Sequence, residues 1–421
     1  MAGAVWVAFY QLNGIPLLDP AFETGKYTEP AYYFLGLLPH DNPERLPLYP
    51  AIIWLTFSLF GVDNYLALAL VQCLFTGGAT LGIALAARAI RVEWTWPAAL
   101  LACVWLNLSY RTALLLPDLT FTTFVAGALA AMLWAVRSER PVRFLATAVV
   151  MLDCALLTRP AVLGLPILML PLLIWALRGR RHWSWVKIAL TVACLGTALG
   201  VASLPQFLRS HAHTGQWLFT LQAGDHALHV PPCLAVRWGC GNSSDAVTAE
   251  GRRRWRERIA ALPEGERDDL AAKNRLGKQV ALEMILEQPP ATVVSAIIGS
   301  WTKLMLHNVG SDILDRLHVP FLLPGQWFSG GLAQNLPGTV AWTIMELMLL
   351  GSRVLQVVGV VDGLRNRERR VETLLLLAVV AAFLAISVGF GNHRYRTPME
   401  PALLVLTLMG WQAVSTKWRR R

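Results

Sequence analysis

Residues 161–207 read AVLGLPILMLPLLIWALRGRRHWSWVKIALTVACLGTALGVASLPQF, and this stretch decides the fold. Residues 161–177 carry no charge, the chain then turns through Arg178-Gly179-Arg180-Arg181, and Lys187 is the sole charge from 185 to 207. A helix at the surface of a soluble protein needs one apolar stripe and shows a polar face opposite it. Neither run has such a face. Each comes close to the roughly 20 apolar residues that cross a bilayer, and a tight basic hairpin joins them.

The rest of the chain repeats this pattern. Apolar residues make up 55% of the 421 and charged ones 15%, against the roughly 25% charge usual in soluble domains. Mean hydropathy is +0.46. Further runs that meet or approach the length of a span are 64–87, 95–108, 118–136, 143–158, 338–362, 371–390 and 398–415. Met1–Leu18 reads as the second half of another, from a short first span or a late start. Together these predict an all-α polytopic membrane protein of about ten transmembrane helices. Met1–Leu12 has no basic n-region and no small-residue cleavage site, so no cleavable signal peptide is expected.

The net charge of +10 suggests topology rather than nucleic acid, because the basic residues sit in short clusters between apolar runs. Arg88 and Arg91; Arg137, Arg140 and Arg143; Arg178, Arg180, Arg181 and Lys187; Arg365, Arg367, Arg369 and Arg370; and Lys417 with Arg419–Arg421 all belong on the cytoplasmic side. That placement puts 13–63, the 109–117 turn, 208–337 and 391–397 outside. Parity holds if two short apolar stretches, Pro47–Phe60 and Ala291–Leu306, lie in the outer interface.

Three parts follow: a transmembrane core at 1–208 with a first outer loop at 13–63, an extracytoplasmic insert at 209–337 that includes the interfacial helix 291–306, and C-terminal transmembrane helices at 338–421. Within the insert, the basic run Arg252–Arg254 is surrounded by Glu250, Glu257, Glu264 and Glu266 and reads as a solvated helix face. Cys73, Cys103, Cys154 and Cys194 lie in apolar runs and read as packing. Cys233 and Cys240 are spaced for a disulfide if the insert faces an oxidising compartment. For Asp153, inside a span, a partner such as Arg88 or a hydroxyl is expected.

The chemistry should sit where charges gather on the outer side. Four groups recur there: the acidic loop with Asp19, Glu23 and Glu29; Glu44-Arg-Leu-Pro-Leu-Tyr-Pro50; Leu157-Thr-Arg-Pro160; and Asn392-His-Arg-Tyr-Arg-Thr-Pro-Met-Glu-Pro401. Arg159, Arg394 and Arg396, with His393, break the positive-inside pattern. Guanidinium forks suit phosphate oxygens. A nearby carboxylate can take the proton of an acceptor hydroxyl or amine as it attacks a sugar carbon bearing phosphate. No ligand cluster demands a metal, and no cofactor is expected.

The same groups carry a family resemblance. Glu23, Tyr27 and Ala31, then Arg45-x-Pro-Leu-Tyr49-Pro with Leu59-Phe-Gly61, then Leu157-Thr-Arg-Pro160, then Arg394-Tyr-Arg-x-Pro-x-x-Pro401, resemble the polyprenyl-phosphate-sugar-dependent glycosyltransferases of the GT-C fold. Among these the chain is most similar to the family 39-like group of protein O-mannosyltransferases and the lipid A aminoarabinose transferase. Leu116–Phe124 and Leu208-Arg-Ser…Gly215 add to the likeness.

The resemblance implies a multi-pass enzyme of the bacterial inner (plasma) membrane with its site on the periplasmic or extracellular side. It would move a sugar, with inversion, from an undecaprenyl-phosphate-type donor to a lipid, glycan or protein acceptor, and membrane lipids would surround it. It also implies a catalytic carboxylate at Glu23, where the family usually has Asp, with Asp19 as the second candidate. Arg159, Arg394, Arg396 and His393 would hold phosphate, and Tyr27, Arg45 and Tyr49 would line the donor and acceptor loops. Two other functions compete: a transporter or lipid flippase, and a catalytically degenerate envelope-assembly subunit.

Overall fold

The computed structural model describes residues 2–12, 24–38, 45–215, 217, 219, 245–307, 309–323, 332–388 and 393–419. The described residues are helical, without strands, as the apolar runs require. The first ten helices are α1 (Ala2–Leu12), α2 (Thr24–Phe34), α3 (Leu48–Phe60), α4 (Tyr65–Ile90), α5 (Thr95–Val104), α6 (Leu106–Ser109), α7 (Asp118–Arg137), α8 (Pro141–Thr158), α9 (Gly164–Arg181) and α10 (Trp185–Thr214). After them come a pair at Asp245–Ala260 and Leu270–Leu286, then Pro290–Leu306, Gly310–Arg316, Leu332–Arg365, Arg370–Ile386 and Glu400–Arg419.

The chain is an integral multi-pass membrane protein. Among the described residues six helices are long and apolar enough to cross a bilayer, or seven if the sharply bent pair Ala271–Leu286 and Pro290–Leu306 counts as one broken span. The expected count of ten is therefore not reached by length and composition. Arg370–Ile386 and Glu400–Arg419 nevertheless run through the middle of the bundle, where protein replaces lipid around them and strict length is relaxed.

α7 is the central post. Its apolar stretch is largely buried, whereas Trp185–His213 shows most of its surface outward. Small residues let α4 approach α7 closely: a Cβ added at Gly82 would lie 2.8 Å from that of Ala126, and Thr123 Oγ1 donates to the Phe75 carbonyl at 2.6 Å. Such contacts replace the hydrophobic drive that lipid does not supply between helices.

The two ends of the bundle differ in chemistry. At one end the buried Glu372 accepts from Arg137 Nε at 2.6 Å and Arg180 Nη1 at 2.7 Å. Arg369 lies over the Trp94 ring and also donates to Gln412 at 3.2 Å, so the loops read as cytoplasmic share this end. At the other end lie Asp118, Arg159 and Arg394. The 20-residue α7 separates the two by about 28 Å.

Two further expectations change. The span 95–108 breaks after Val104, with Trp105 extended at φ −72° and ψ 109°. The break lets Trp105 Nε1 and Asn107 Nδ2 both donate to Glu400 at 2.9 Å, a gain no local propensity encodes. Arg88 does not pair with Asp153. It is exposed near the end of α4 at the arginine-rich end, while Asp153 lies five residues from the opposite end of α8. The buried Oδ1 of Asp153 has no hydrogen-bond partner among the described residues.

In the insert, the basic run behaves as its neighbours predict. Arg253 pairs with Glu250 and Glu257, and Arg254 with Glu250 and Glu287. Cys233 and Cys240 lie outside the described residues.

Candidate functional site

The site is assembled where helices start and stop. α7 begins at Asp118 directly after Pro117, which already has helical φ and ψ. α8 ends at Thr158, and the extended backbone of Arg159 (φ −151°, ψ 134°) turns the chain into a short 3-10 helix at Pro160–Leu163. A second 3-10 helix, His393–Met399, precedes Glu400–Arg419 and delivers Arg394. These termini meet over one carboxylate. Arg394 Nε donates to Asp118 Oδ2 at 2.8 Å, and Arg159 Nη1 lies 2.9 Å from Oδ1. The Asp118 side chain is 1% exposed, while the two guanidinium groups are 14% and 17% exposed.

A third arginine completes the group. Arg111, in the 3-10 helix Tyr110–Ala113, is buried and feels the charge of Asp118. Burial pulls its guanidinium down to about 10, so it stays charged at neutral pH. These three arginines act on Asp118, and Asp312 also acts on Arg111, so the arginines outnumber the carboxylates. Nε and Nη2 of Arg111 and Nε of Arg159 are buried without a hydrogen-bond partner among the described residues. Buried donors left unmet cost free energy, and an anion with several oxygens meets them.

A tyrosine wall stands beside this cluster. Tyr27 and Tyr49 meet edge to face at 5.6 Å, and the Arg45 guanidinium lies 4.6 Å from the Tyr27 ring centre. Gln72 Nε2 donates both to Tyr49 Oη at 2.6 Å and to the Leu116 carbonyl at 3.3 Å, which ties the wall to the loop that leads into Asp118. Arg209 Nη1 donates to the Arg45 carbonyl at 2.7 Å and fixes the same corner from α10. The first two outer groups read from the sequence thus stand together through Tyr27, Arg45 and Tyr49. The third and fourth meet through Arg159 and Arg394.

Arg396 points elsewhere. It is 1% exposed, donates through Nε to Glu400 Oε1 at 2.7 Å, and reaches the carbonyls of Leu304, Met305 and His307 at 2.9, 3.2 and 2.7 Å. Those bonds take up the unpaired carbonyls that end the helix Pro290–Leu306 and pin that helix to the core. Glu23, Asp19 and the side chain of His393 lie outside the described residues. Among the described residues no group of three His, Cys, Asp or Glu side chains is placed to hold a metal ion.

Asp118 was visible in the sequence as part of a motif but not as a site residue, because an acidic residue at a helix start usually just answers the helix dipole. Arg111 was missed. It breaks the positive-inside pattern expected for the 109–117 turn just as Arg159 and Arg394 do for theirs, and the same rule would have found it.

Residues 41–204 match the family described as dolichyl-phosphate-mannose-protein mannosyltransferase. The crystal structure of the Archaeoglobus fulgidus oligosaccharyltransferase in its apo form is similar in fold, with a TM-score of 0.54 at 13% identity over 99% of this chain and 50% of that one. The same enzyme in complex with Zn and sulfate gives 0.50 at 11% identity over 97% and 48%. ArnT from Cupriavidus metallidurans bound to undecaprenyl phosphate gives 0.38 at 15% identity over 98% and 77%. The chain spans about half the length of the oligosaccharyltransferase it matches. No curated protein matches it in sequence. The fold is thus similar to that of the oligosaccharyltransferase, and it is all-helical and membrane-spanning as the sequence implied.

Proposed function

We propose that this GT-C chain is a membrane glycosyltransferase that takes its sugar from a polyprenyl-phosphate carrier at the end of the bundle away from the arginine-rich loops. The observation that carries the reading is the clasp of Arg111, Arg159 and Arg394 around Asp118, with arginines in excess and buried donors unmet among the described residues. A phosphate diester linked to a sugar supplies one negative charge and two free oxygens. The membrane places such a head group at this depth, and the family match over 41–204 supports the same donor class.

In the reaction so read, an acceptor oxygen or nitrogen attacks the anomeric carbon as the bond to the phosphate oxygen breaks. The polyprenyl phosphate leaves with that electron pair, the configuration inverts, and the acceptor proton passes to a carboxylate. Glu23, with Asp19 as the second candidate, is assigned that proton. Asp118 is not, since its oxygens are already committed to two guanidinium groups. It holds the arginines in place before the donor arrives, and the arginines meet the charge that grows on the leaving phosphate. The orientation proposed, with this end on the periplasmic or extracellular side of a plasma membrane, is supported by the basic loops at the other end.

The test is sugar transfer in membranes supplied with labelled polyprenyl-phosphate sugar, with glycan and lipid mass spectrometry of a deletion strain to reveal the acceptor. Glu23→Gln or Asp19→Asn should abolish transfer, and Arg159→Ala should lower it at least a hundredfold. Full transfer by both carboxylate variants would refute the proposed base. Full transfer by Arg159→Ala would refute the phosphate site.

A further inference from the structure

A second cavity lies far from this site, and neither the proposed chemistry nor the motifs use it. It has a volume of about 220 Å³ and sits among α7, α8, α9 and α10. Leu145, Leu177, Trp183 and Ile188 line it at the arginine-rich end, and Leu152 and Leu199 line it deeper in the membrane. From Ile188 to Leu199 it follows α10 for about 16 Å. Thr191 supplies the one hydroxyl of its lining, so water has nothing to bind there. An apolar cavity of about 150 Å³ accommodates benzene, and by that scale this one takes a chain of roughly nine carbons.

The mouth of the cavity is charged. Lys187 Nζ stands 4.4 Å from the centre of the Trp183 ring, itself part of the lining, and the Arg178 guanidinium stands 4.5 Å from that of Trp185. Indole faces thus hold two cations at the level where hydrocarbon gives way to head groups. From 177 to 188 the chain carries Arg178, Arg180, Arg181 and Lys187 and no acidic residue. Glu372, the buried acid at this end, is taken up by Arg137 and Arg180, which leaves the charges of Arg178 and Lys187 uncompensated by it.

We infer that this cleft binds an anionic glycerophospholipid of the leaflet at the arginine-rich end, with one acyl chain in the cavity and the phosphate against Lys187 and Arg178. Charge complementarity selects the occupant, since a zwitterionic lipid brings its own cation to a mouth that already holds two. The donor lipid is a different ligand, because its phosphate belongs about 28 Å away at the other end of α7.

The experiment is native mass spectrometry of the full chain in detergent, titrated separately with phosphatidylglycerol, with phosphatidylcholine of the same acyl chains and with undecaprenyl phosphate. Phosphatidylglycerol should bind at least tenfold tighter than phosphatidylcholine. Lys187→Gln with Arg178→Gln should erase that preference and leave phosphatidylcholine unchanged. Gly196 lies at the cavity edge, where an added Cβ meets nothing within 4 Å, so Gly196→Phe narrows the cleft without touching the backbone and should weaken phosphatidylglycerol at least tenfold. Arg159→Ala should leave phosphatidylglycerol binding intact. Monodisperse elution and an unchanged melting temperature confirm that each variant is folded. Equal binding of the two phospholipids, or indifference to Gly196→Phe in a folded protein, overturns the inference. So does one-for-one displacement of phosphatidylglycerol by undecaprenyl phosphate, which would make the cavity part of the donor site.

Discussion

Replacing Asp118 by Asn keeps the shape of the side chain and removes the negative charge that Arg159, Arg394 and Arg111 all face. Asp118 is 1% exposed and faces Arg394 at 2.8 Å and Arg159 at 2.9 Å. Removing one partner of such a buried group costs about 3–5 kcal/mol, because the charges left behind stay desolvated. For 421 residues the unfolding entropy is about 0.9 kcal/mol/K by the usual per-residue value, so the melting point should fall by at least about 3–5 °C. Helices that persist in detergent lower that entropy and enlarge the drop. The assay is thermal melting of the purified protein with and without undecaprenyl phosphate. Since Asp118→Asn leaves the cluster one positive charge richer, the lipid phosphate should restore more of the loss than it adds to the wild type. A double-mutant cycle with Arg394→Ala should show coupling of about 1–3 kcal/mol. The reasoning fails if Asp118→Asn melts within 1 °C of the wild type, or if the two substitutions simply add.

Arg111→Ala should weaken undecaprenyl phosphate binding at least tenfold by titration without lowering the melting point, since two of the donors it removes have no hydrogen-bond partner among the described residues. A stability loss with unchanged lipid binding would make Arg111 a packing residue. Gly359 and Gly410 let the helices Leu332–Arg365 and Glu400–Arg419 touch backbone to backbone: a Cβ at Gly359 would collide with the Leu406 carbonyl, and one at Gly410 with the Leu355 carbonyl. Gly359→Ala and Gly410→Ala should each cost about 1–3 kcal/mol in thermal melting, while Gly351→Ala, with nothing within 4 Å, should be harmless; equal effects would refute the close approach. His307 has its imidazole pushed down by burial; Asp312 opposes this, while Arg396 and Lys303 reinforce it. The unfolded chain then holds the proton more tightly, so this stability is complete above about pH 6.5 and is lost as pH falls below it. His307→Asn should flatten the fall in melting temperature between about pH 7 and pH 5, and an unchanged slope would dismiss His307 as its source.

Composition and the spacing of apolar runs determined the fold class here, because lipid admits helices and little else, and every run of residues like 161–177 must take the same form. The basic loops gave the expected polarity of the bundle for a similarly local reason, and Arg159 and Arg394 could be picked out simply by lying outside those clusters. The number of crossings was less legible. Arg370–Ile386 and Glu400–Arg419 pass through the centre wrapped in protein, and there hydropathy and length lose their meaning. The break at Trp105 and the inward turn of Arg396 were decided by partners nearly 300 and about 90 residues away, Glu400 and the carbonyls of 304–307. Asp118 became a site residue through tertiary structure alone. A carboxylate at a helix start is ordinary until three arginines from separate segments converge on it, and burial in low dielectric then turns an unremarkable charge into the centre of the proposed phosphate site.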